Sequence, residues 1–249
     1  MFECLSQRYA VVTGAAQGIG LAIAKRFVRE QIAGIALIDM KKDALAAAKE
    51  ELEKLSAKKV MVLNCDVSDY DAVAKAMGEI TAAFGKIDIL INNAGITRDV
   101  MFHKMTREQW NLVVNVNLNG TFNCTHTVIN GMRERGFGRI VNFSSVSAYG
   151  NAGQANYAAT KAAVMGFTKT IAKEGARKGI TCNAIVPDFI DTEMLKTVPQ
   201  EILAELLKSC PMQRMGTPDE IAAVVAFLSS DDSSYVSGVC LDCSGAKRT

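Results

Sequence analysis

Short apolar runs alternate along the chain with longer stretches in which apolar residues recur every three or four positions. Seven short runs have the length and composition of buried strands. They lie at residues 10–12, 34–38, 60–65, 87–91, 139–143, 180–186 and 239–243. Helical spacing is found at residues 21–29, 42–55, 106–135, 155–178 and 218–229, and in a further stretch that ends at residue 84 and is capped by Ser68 or Asp69.

This alternation predicts an α/β fold, a doubly wound parallel sheet of about seven strands with helices on both faces. Residues 1–249 form a single domain by this criterion, without a linker or low-complexity segment. Residues 188–216 are irregular, apart from a short helix at about 199–208, and we expect them to form a substrate lid. In such sheets, ligands bind beyond the carboxyl ends of the strands.

A glycine-rich loop follows the first strand and precedes a helix. Residues 13–20 read T-G-A-A-Q-G-I-G. Glycines let backbone N–H groups approach a pyrophosphate, and a helix N-terminus favours an anion. The loop therefore predicts a dinucleotide site, against the alternative of a tight turn without a ligand.

Polar residues end three other strands. Asp39 ends the second strand, where a carboxylate can accept hydrogen bonds from both hydroxyls of an adenosine ribose. The alternative role for Asp39 is to cap the following helix. Asp66 with Val67 ends the third strand, and residues 92–95 (N-N-A-G) follow the fourth. Because all of these motifs converge on one edge of the sheet, they favour one ligand site.

Tyr157 and Lys161 lie four residues apart near the start of the helix expected at 155–178. On a helix, residues at this spacing share one face, with Cβ atoms about 5–6 Å apart. A phenol ordinarily keeps its proton up to pH ~10, and a neighbouring ammonium group lowers that pKa. We therefore expect Tyr157 to exchange a proton near neutral pH, as carbonyl reduction requires. The alternative is an exposed helix in which neither residue has a role.

Composition excludes several classes of function. A formal net charge of +2 does not favour a nucleic-acid or anionic-membrane partner. Residues 1–9 do not resemble a signal peptide, and no apolar run approaches about 18 residues, so no membrane span is expected. His103 and His126 lack partners at metal-ligand spacing, and the C-x-x-C at 240–243 is expected to be strand filler, so no metal site is predicted. The seven cysteines are expected to be free thiols in a reducing cytoplasm.

These motifs together resemble those of the short-chain dehydrogenase/reductase superfamily over essentially the whole chain. The matching residues are the 13–20 loop, Asp66, residues 93–95, Asn117, a serine at 144 or 145, Tyr157 and Lys161. The stretches N-N-A-G-I-T-R-D at 92–99 and G-Q-A-N-Y at 153–157 are typical of bacterial 3-oxoacyl-[acyl-carrier-protein] reductases, although related hydroxysteroid and acetoacetyl-CoA enzymes share much of this pattern. The resemblance implies a Rossmann-type fold, a nicotinamide cofactor and a homotetramer.

The resemblance also implies a catalytic set formed by Asn117, Ser145, Tyr157 and Lys161. In this set Tyr157 exchanges the proton, Lys161 lowers its pKa and binds the nicotinamide ribose, and Asn117 holds a water. The serine orients the substrate oxygen. Cofactor contacts are implied for Gly14, Gln17, Gly18, Ile19, Gly20, Asp39, Asp66, Val67, Asn93, Ala94, Gly95, Tyr157, Lys161, Ile190 and Thr192.

The position of the catalytic serine depends on how the chain is aligned. Counting forward from residues 93–95 through the fifth strand gives Ser145, whereas counting back from Tyr157 without a gap gives Ser144. Neighbouring strand residues point to opposite faces, so only one of them can serve. We choose Ser145, because a strand fixes geometry while the following loop tolerates a deletion.

Three positions depart from the family pattern. Asp188 replaces a glycine, Gln17 replaces a basic residue common in NADPH-using relatives, and residues 242–245 lack the usual Asp-Gly-Gly, which bears on the oligomer. We expect the acid at position 188, near the nicotinamide, to alter cofactor affinity or substrate choice. Asp39 and the neutral Gln17 predict NAD(H) over NADP(H), unless Lys41 or Lys42 binds the 2′-phosphate.

The expected activity is NAD(H)-dependent reduction of 3-oxoacyl thioesters, carried by acyl carrier protein or coenzyme A, in cytoplasmic fatty acid biosynthesis. Two alternatives stand beside it: a dehydrogenase of a hydroxysteroid or another secondary alcohol, and a non-catalytic NAD-binding sensor. Five basic residues are expected to flank the site entrance and to dock an acidic carrier protein, unless they are only solvated helix ends. They are Arg133, Arg135, Arg139, Arg177 and Lys178.

Overall fold

Seven parallel strands form one sheet in the part of the chain that the structure describes. The structure is a computed structural model that describes residues 5–55, 59–192, 201 and 207–247. The strands are β1 (Tyr9–Thr13), β2 (Gly34–Asp39), β3 (Val60–Asn64), β4 (Ile89–Asn92), β5 (Gly138–Phe143), β6 (Ile180–Pro187) and β7 (Cys240–Cys243). Their order is β3-β2-β1-β4-β5-β6-β7, so the predicted doubly wound parallel sheet is confirmed.

Helices cover both faces of this sheet. They are α1 (Gly18–Arg29), α2 (Lys42–Lys54), α3 (Tyr70–Phe84), α4 (Arg107–Val114), α5 (Gly120–Arg135), α6 (Ala155–Gly175) and α7 (Pro218–Ser229). Asp69, not Ser68, caps α3 by accepting a hydrogen bond from the Ala72 amide. The short helix expected at about 199–208 falls largely outside the described residues, as do residues 193–200 of the expected lid.

The apolar core lies on both sides of the sheet, because successive strand residues point to opposite faces. On one side, Ala10 and Val12 of β1 share a cluster with Phe27 of α1. On the other side, Val11 shares a cluster with Ile80 of α3. Both faces of each central strand are therefore buried, which explains why these strands appear in the sequence as unbroken apolar runs.

One π-helical turn, Asn115–Asn119, interrupts the helix expected at 106–135 and joins α4 to α5. The helix starts as a regular one, with a capping box between Thr106 and Gln109. Within the turn, the backbone carbonyl of Asn117 accepts a hydrogen bond from the Thr121 hydroxyl. Such single π turns often mark functional sites, and this one carries a residue of the expected catalytic set.

The basic residues expected to dock a carrier protein lie near the amino-terminal ends of the strands. Arg139 begins β5, and Lys178 ends the turn before β6, whereas ligands bind at the carboxyl ends of the strands. Arg139 is also only 4% exposed and pairs with Asp231. Helix α6 alone, with 21 residues, separates Tyr157 from Arg177 by about 30 Å. The expectation that these residues flank the entrance of the same chain's site is therefore wrong.

The close packing of α1 on the first loop leads to a stability prediction. A Cβ added at Gly20 would stand 2.3 Å from the Gly14 carbonyl oxygen. Gly20→Ala should therefore lower the free energy of unfolding by about 1–3 kcal/mol, because the backbone must shift. Urea denaturation measures this change.

Gly78→Ala on the exposed side of α3 is the matched control. Within the described residues, an added Cβ there meets no atom within 4 Å. It should raise the free energy of unfolding by about 0.5–1 kcal/mol, because alanine restricts the unfolded chain. A Gly20→Ala protein as stable as Gly78→Ala would contradict the close approach.

Candidate active site

The loop between β1 and α1 forms a cradle that stays open because glycines stand where a Cβ atom would fill it. Gly14 has a φ of +62°, and a Cβ there would lie 2.9 Å from Ala94 Cα. In α1, which is described throughout, the first turn holds no acidic residue, and the N-cap Gln17 makes no side-chain capping hydrogen bond. The amide groups at this helix terminus are thus suited to an anion such as a pyrophosphate.

Thr13 and Asn93 join this loop to the end of β4. The Thr13 hydroxyl accepts hydrogen bonds from the amides of Asn93 at 3.1 Å and Ala94 at 3.0 Å. In return, Asn93 Nδ2 donates to the carbonyls of Thr13 at 3.0 Å and Gly14 at 2.9 Å. Since β1 and β4 are neighbours where the strand order reverses, these bonds shape the crevice in which such sheets bind nucleotides.

Asp39 stands at the ribose end of the crevice. Its carboxylate accepts hydrogen bonds from the amides of Ala16 at 3.1 Å and Lys41 at 3.0 Å. The N-cap of α2 is Lys41, so Asp39 is not the cap of that helix. Lys41 Nζ donates to Gln17 Oε1 at 3.1 Å. We call residues 13–20 the phosphate loop. The Asp39 carboxylate is therefore held in place between the phosphate loop and the start of α2.

Asn156, which sequence reasoning missed, positions Tyr157 at the start of α6. It is fully buried, and its side-chain oxygen accepts a hydrogen bond from the Tyr157 amide at 2.7 Å. Its Nδ2 donates to the carbonyls of Arg98 and Gln109. The sequence signal for this role was present, because Asn156 belongs to the G-Q-A-N-Y stretch at 153–157.

The pKa of Tyr157 is raised from its ordinary value, mainly by burial of the phenol. A hydrogen bond with the Ser145 side chain acts in the opposite direction, and the negative charge of Asp99 adds to the increase. The expected lowering by Lys161 is therefore not what the chain alone produces. A phenol with a raised pKa carries its proton at neutral pH, as a proton donor must.

Lys161 lies behind Tyr157 and is almost completely buried. Its Nζ donates to the Phe143 carbonyl at 2.7 Å and lies 5.4 Å from the centre of the Tyr157 ring. Burial lowers the pKa of this amine to about 8, because a low-dielectric interior disfavours the charged form. The two residues do share one helix face, as their spacing predicted.

The two candidate serines face different neighbours. Ser144 is buried, and its hydroxyl donates to the Lys161 carbonyl at 2.8 Å. Ser145 lies close enough to Tyr157 to lower the pKa of the phenol, and its hydroxyl accepts a hydrogen bond from the Ser147 amide. Ser145 is thus the serine beside the phenol, while Ser144 fastens β5 to α6.

Asn117 is buried in the π-helical turn and supports the loop after β4. Its Oδ1 accepts a hydrogen bond from the Ile96 amide at 2.8 Å, and its Nδ2 donates to the Ile96 carbonyl at 3.0 Å. A Cβ added at Gly95 would lie 3.3 Å from Asn117 Oδ1 and 3.4 Å from Lys161 Nζ. Asn117 and Lys161 therefore meet at Gly95, and the water-holding role of Asn117 stays a prediction.

A single cleft of about 600 Å³ brings the predicted site residues together. Fifteen of them line it: Gly14, Gln17, Gly18, Ile19, Asp39, Asp66, Val67, Asn93, Ala94, Gly95, Ser145, Tyr157, Lys161, Ile190 and Thr192. Gly20 and Asn117 are the two predicted residues that do not line it. Six further lining residues were not predicted as cofactor contacts, although they lie in or beside the motifs: Ile38, Met40, Ile96, Thr97, Arg98 and Val116.

The residues of this cleft fit a nicotinamide dinucleotide. The Gly14 cradle and the open N-terminus of α1 suit its pyrophosphate, and Asp39 suits an adenosine ribose. Among the described residues, no group of three or more His, Cys, Asp or Glu side chains could hold a metal ion. No helix in the described ranges is long and apolar enough to cross a membrane.

Comparisons with known proteins agree on one family. The model of a family described as enoyl-(acyl carrier protein) reductase matches residues 14–245. The chain is 46% identical over 242 residues to an acetoacetyl-CoA reductase of Shinella zoogloeoides, covering 96% of this chain and 98% of that protein. It is 44% identical over 236 residues to the 3-oxoacyl-[acyl-carrier-protein] reductase FabG of Thermotoga maritima, covering 94% and 95%.

Two solved structures show the same fold. A 3-oxoacyl-[acyl-carrier protein] reductase with bound NAD from Brucella melitensis has a TM-score of 0.90 and 38% identity, over 98% of this chain and 92% of that one. Levodione reductase has a TM-score of 0.94 and 35% identity, over 98% of both chains.

The serine contacts lead to a prediction with opposite outcomes for two variants. Ser145→Ala should reduce kcat by about 10²–10³, because it removes the hydroxyl beside the phenol, with little change in stability. Ser144→Ala should leave kcat near that of the wild type and lower the free energy of unfolding by about 1 kcal/mol, because a buried hydrogen bond is lost. Steady-state kinetics and urea denaturation of both variants measure this; the reversed pattern would assign the role to Ser144.

Proposed function

The chain belongs to the short-chain dehydrogenase/reductase family, and from this premise we propose that it reduces the ketone of 3-oxoacyl thioesters with a nicotinamide cofactor. The observation that carries the proposal is the grouping of Ser145, Tyr157 and Lys161 in one cleft that fits the cofactor, with Ser145 lowering the pKa of the phenol and Lys161 Nζ 5.4 Å from the centre of its ring. A non-catalytic sensor would have no use for a buried proton donor beside a hydroxyl. This arrangement therefore favours an enzyme over the sensor.

The residues of the cleft divide the reaction among them. A nicotinamide cofactor held by the Gly14 cradle and Asp39 would supply the hydride for the carbonyl carbon. Tyr157 donates the phenolic proton to the carbonyl oxygen, since its raised pKa keeps that proton in place. Ser145 donates a hydrogen bond to the same oxygen and stabilises the charge that develops there. Lys161, whose pKa of about 8 lies near neutral pH, returns a proton toward Tyr157.

The substrate class is supported by the named relatives. The acetoacetyl-CoA reductases of Shinella zoogloeoides and Rhizobium meliloti share 46% identity with this chain over nearly its full length. FabG proteins from two further organisms share 40–44%. A thioester of coenzyme A or of acyl carrier protein is therefore the proposed substrate, the latter in fatty acid biosynthesis. The likeness to levodione reductase favours a second candidate, reduction of another ketone to a secondary alcohol.

A substrate panel with Tyr157→Phe tests the activity. Wild-type protein should oxidise NADH with acetoacetyl-CoA faster than with a cyclic diketone or a steroid ketone. Tyr157→Phe should lower kcat by about 10²–10⁴, while the melting temperature and the Kd for NADH stay near wild-type values, because only a hydroxyl is removed. Crotonyl-CoA, which offers a double bond instead of a ketone, is the negative control. Faster turnover of the diketone would favour the second candidate, and a fully active Phe variant would remove Tyr157 as proton donor.

A preference for NAD(H) over NADP(H) is supported by the position of Asp39. A 2′-phosphate would bring about −1.5 to −2 charges toward this carboxylate. Two unit charges 4 Å apart interact by roughly 4 kcal/mol at an effective dielectric constant of 20. Lys41 is the nearby cation that opposes this preference, but its Nζ is hydrogen-bonded to Gln17. A residual ~2.7 kcal/mol would already be a hundredfold preference.

Exchanging Asp39 tests the cofactor preference. The kcat/KM for NADH should exceed that for NADPH by about a hundredfold in the wild type, and the ratio should fall in Asp39→Ser. Asp43→Ser is the control, because it removes the same charge from an exposed position of α2 outside the cleft. Equal use of both cofactors by the wild type would show that Lys41 or Lys42 binds the phosphate.

A homotetramer in the cytoplasm is the proposed state of the protein. Large apolar side chains on α4 and α5 are exposed in the single chain, among them Trp110, Leu112 and Phe122, and association of copies would cover them. The six cysteines of the described residues are free thiols, which suits a reducing compartment. The chain is proposed to act as one domain, since the matched relatives have nearly the same length.

A further inference from the structure

The loop after β6 and the turn after β7 leave the sheet side by side. Pro187 at the end of β6 pairs in register with Cys243 at the end of β7. We call residues 187–192 the cofactor loop, because Asp188, Ile190 and Thr192 line the cleft. We call residues 244–247 the tail turn.

The tail turn directs Lys247 back toward the cofactor loop. The Lys247 amide donates to the Ser244 carbonyl, and both Gly245 and Ala246 have positive φ angles. Positive φ is uncommon for a residue other than glycine, so this turn has a defined and unusual shape. Lys247 Nζ lies 3.1 Å from Asp188 Oδ2 and 4.3 Å from the centre of the Phe189 ring. One lysine therefore contacts two consecutive residues of the cofactor loop.

The carboxylate of Asp188 is far more buried than its partner. The Asp188 side chain is 5% exposed and the Lys247 side chain 27%. Asp188 was expected to lie near the nicotinamide and to alter cofactor affinity or substrate choice. The residue lines the cleft, but its carboxylate is paired with the tail turn.

We propose that Lys247 is a positioning residue that holds the cofactor loop against the cleft by pairing with Asp188. This inference rests on the proposed function, because it takes the cleft to bind a nicotinamide cofactor. Thr192 of the same loop faces the phosphate loop, where a Cβ added at Gly18 would lie 3.7 Å from its Cγ2. A displaced cofactor loop would therefore widen the cleft where the cofactor binds.

Because Asp188 is more deeply buried than Lys247, we expect substitutions of the two residues to affect cofactor binding unequally. Removal of Lys247 leaves a buried carboxylate without its cation, which is costly and drives the loop toward water. Removal of the Asp188 charge leaves a partly exposed ammonium that can turn to solvent. Lys247→Met should therefore weaken cofactor binding more than Asp188→Asn does.

The charges around Asp188 add a pH signature. Burial and the carboxylate of Asp242 raise the pKa of Asp188, whereas Lys247 lowers it. Asp188 also lines a second cavity, of about 380 Å³, together with the Arg214–Glu220 ion pair. Without Lys247, the pKa of Asp188 rises further, so acid pH neutralises the unpaired carboxylate. The defect of Lys247→Met should therefore fade toward acid pH, and a general loss of packing would not.

Fluorescence titration with NADH from about pH 5 to about pH 9 tests this inference. At the alkaline end, Lys247→Met should raise the Kd about tenfold, and at the acid end it should approach the wild type. Asp188→Asn should raise the Kd by less than Lys247→Met does, and Lys247→Met should add nothing in the Asp188→Asn background. Lys25→Met is the control, because Lys25 is about as exposed as Lys247 but pairs with the exposed Glu51 outside the cleft; it should leave the Kd unchanged.

Failure of the positioning role of Lys247 and failure of the proposed function give different results. If wild type binds NADH and Lys247→Met binds it equally well at every pH, the positioning role is overturned and the proposed function stands. An equal weakening by Lys247→Met in the Asp188→Asn background also overturns it, because no carboxylate is then left to be unpaired. If wild type binds neither NADH nor NADPH, the proposed function fails and this inference with it.

Discussion

Reciprocal hydrogen bonds between Thr13 and Asn93 are the contact on which the rest of the cleft depends. They join the ends of β1 and β4 where the strand order reverses. Gly14 and Gly20 allow this junction, because a Cβ at either position would meet backbone at 2.9 Å or less. The phosphate loop lies on one side of these hydrogen bonds. Gly95, which is close to Lys161, lies on the other side. Cofactor geometry and proton chemistry are therefore set by the same few bonds.

Burial determines the electrostatics of the proposed proton donor. Desolvation raises the pKa of Tyr157 and lowers that of Lys161 to about 8. The two shifts have opposite signs, because burial favours the neutral form of each group. A neutral phenol suits carbonyl reduction, and an amine that titrates near neutral pH suits proton return. The Phe143 carbonyl and the buried Asn156 hold the two groups in place. The residues around the pair thus matter as much as the pair itself.

Two aspartates, Asp39 and Asp188, line the cleft. Asp39 is held by two backbone amides at the ribose end, where it supports a preference for NAD(H). Asp188 replaces a glycine at the other end and is paired with Lys247. We propose that the first acts on the cofactor directly and the second through the loop that carries Thr192. The C-terminal turn thereby becomes part of the cofactor site.

The sequence by itself determined the strands, the loops at their ends and the spacing of Tyr157 and Lys161, because these follow from local periodicity and from backbone shapes that only certain residues allow. Only the tertiary structure decided which serine lies beside Tyr157, since Ser144 and Ser145 differ in the face they present and not in type. It also showed that burial raises the pKa of Tyr157, and that the basic residues around Arg139 lie at the opposite edge of the sheet. The pairing of Asp188 with Lys247 was not visible in the sequence, because it joins segments that meet only after β6 and β7 have paired.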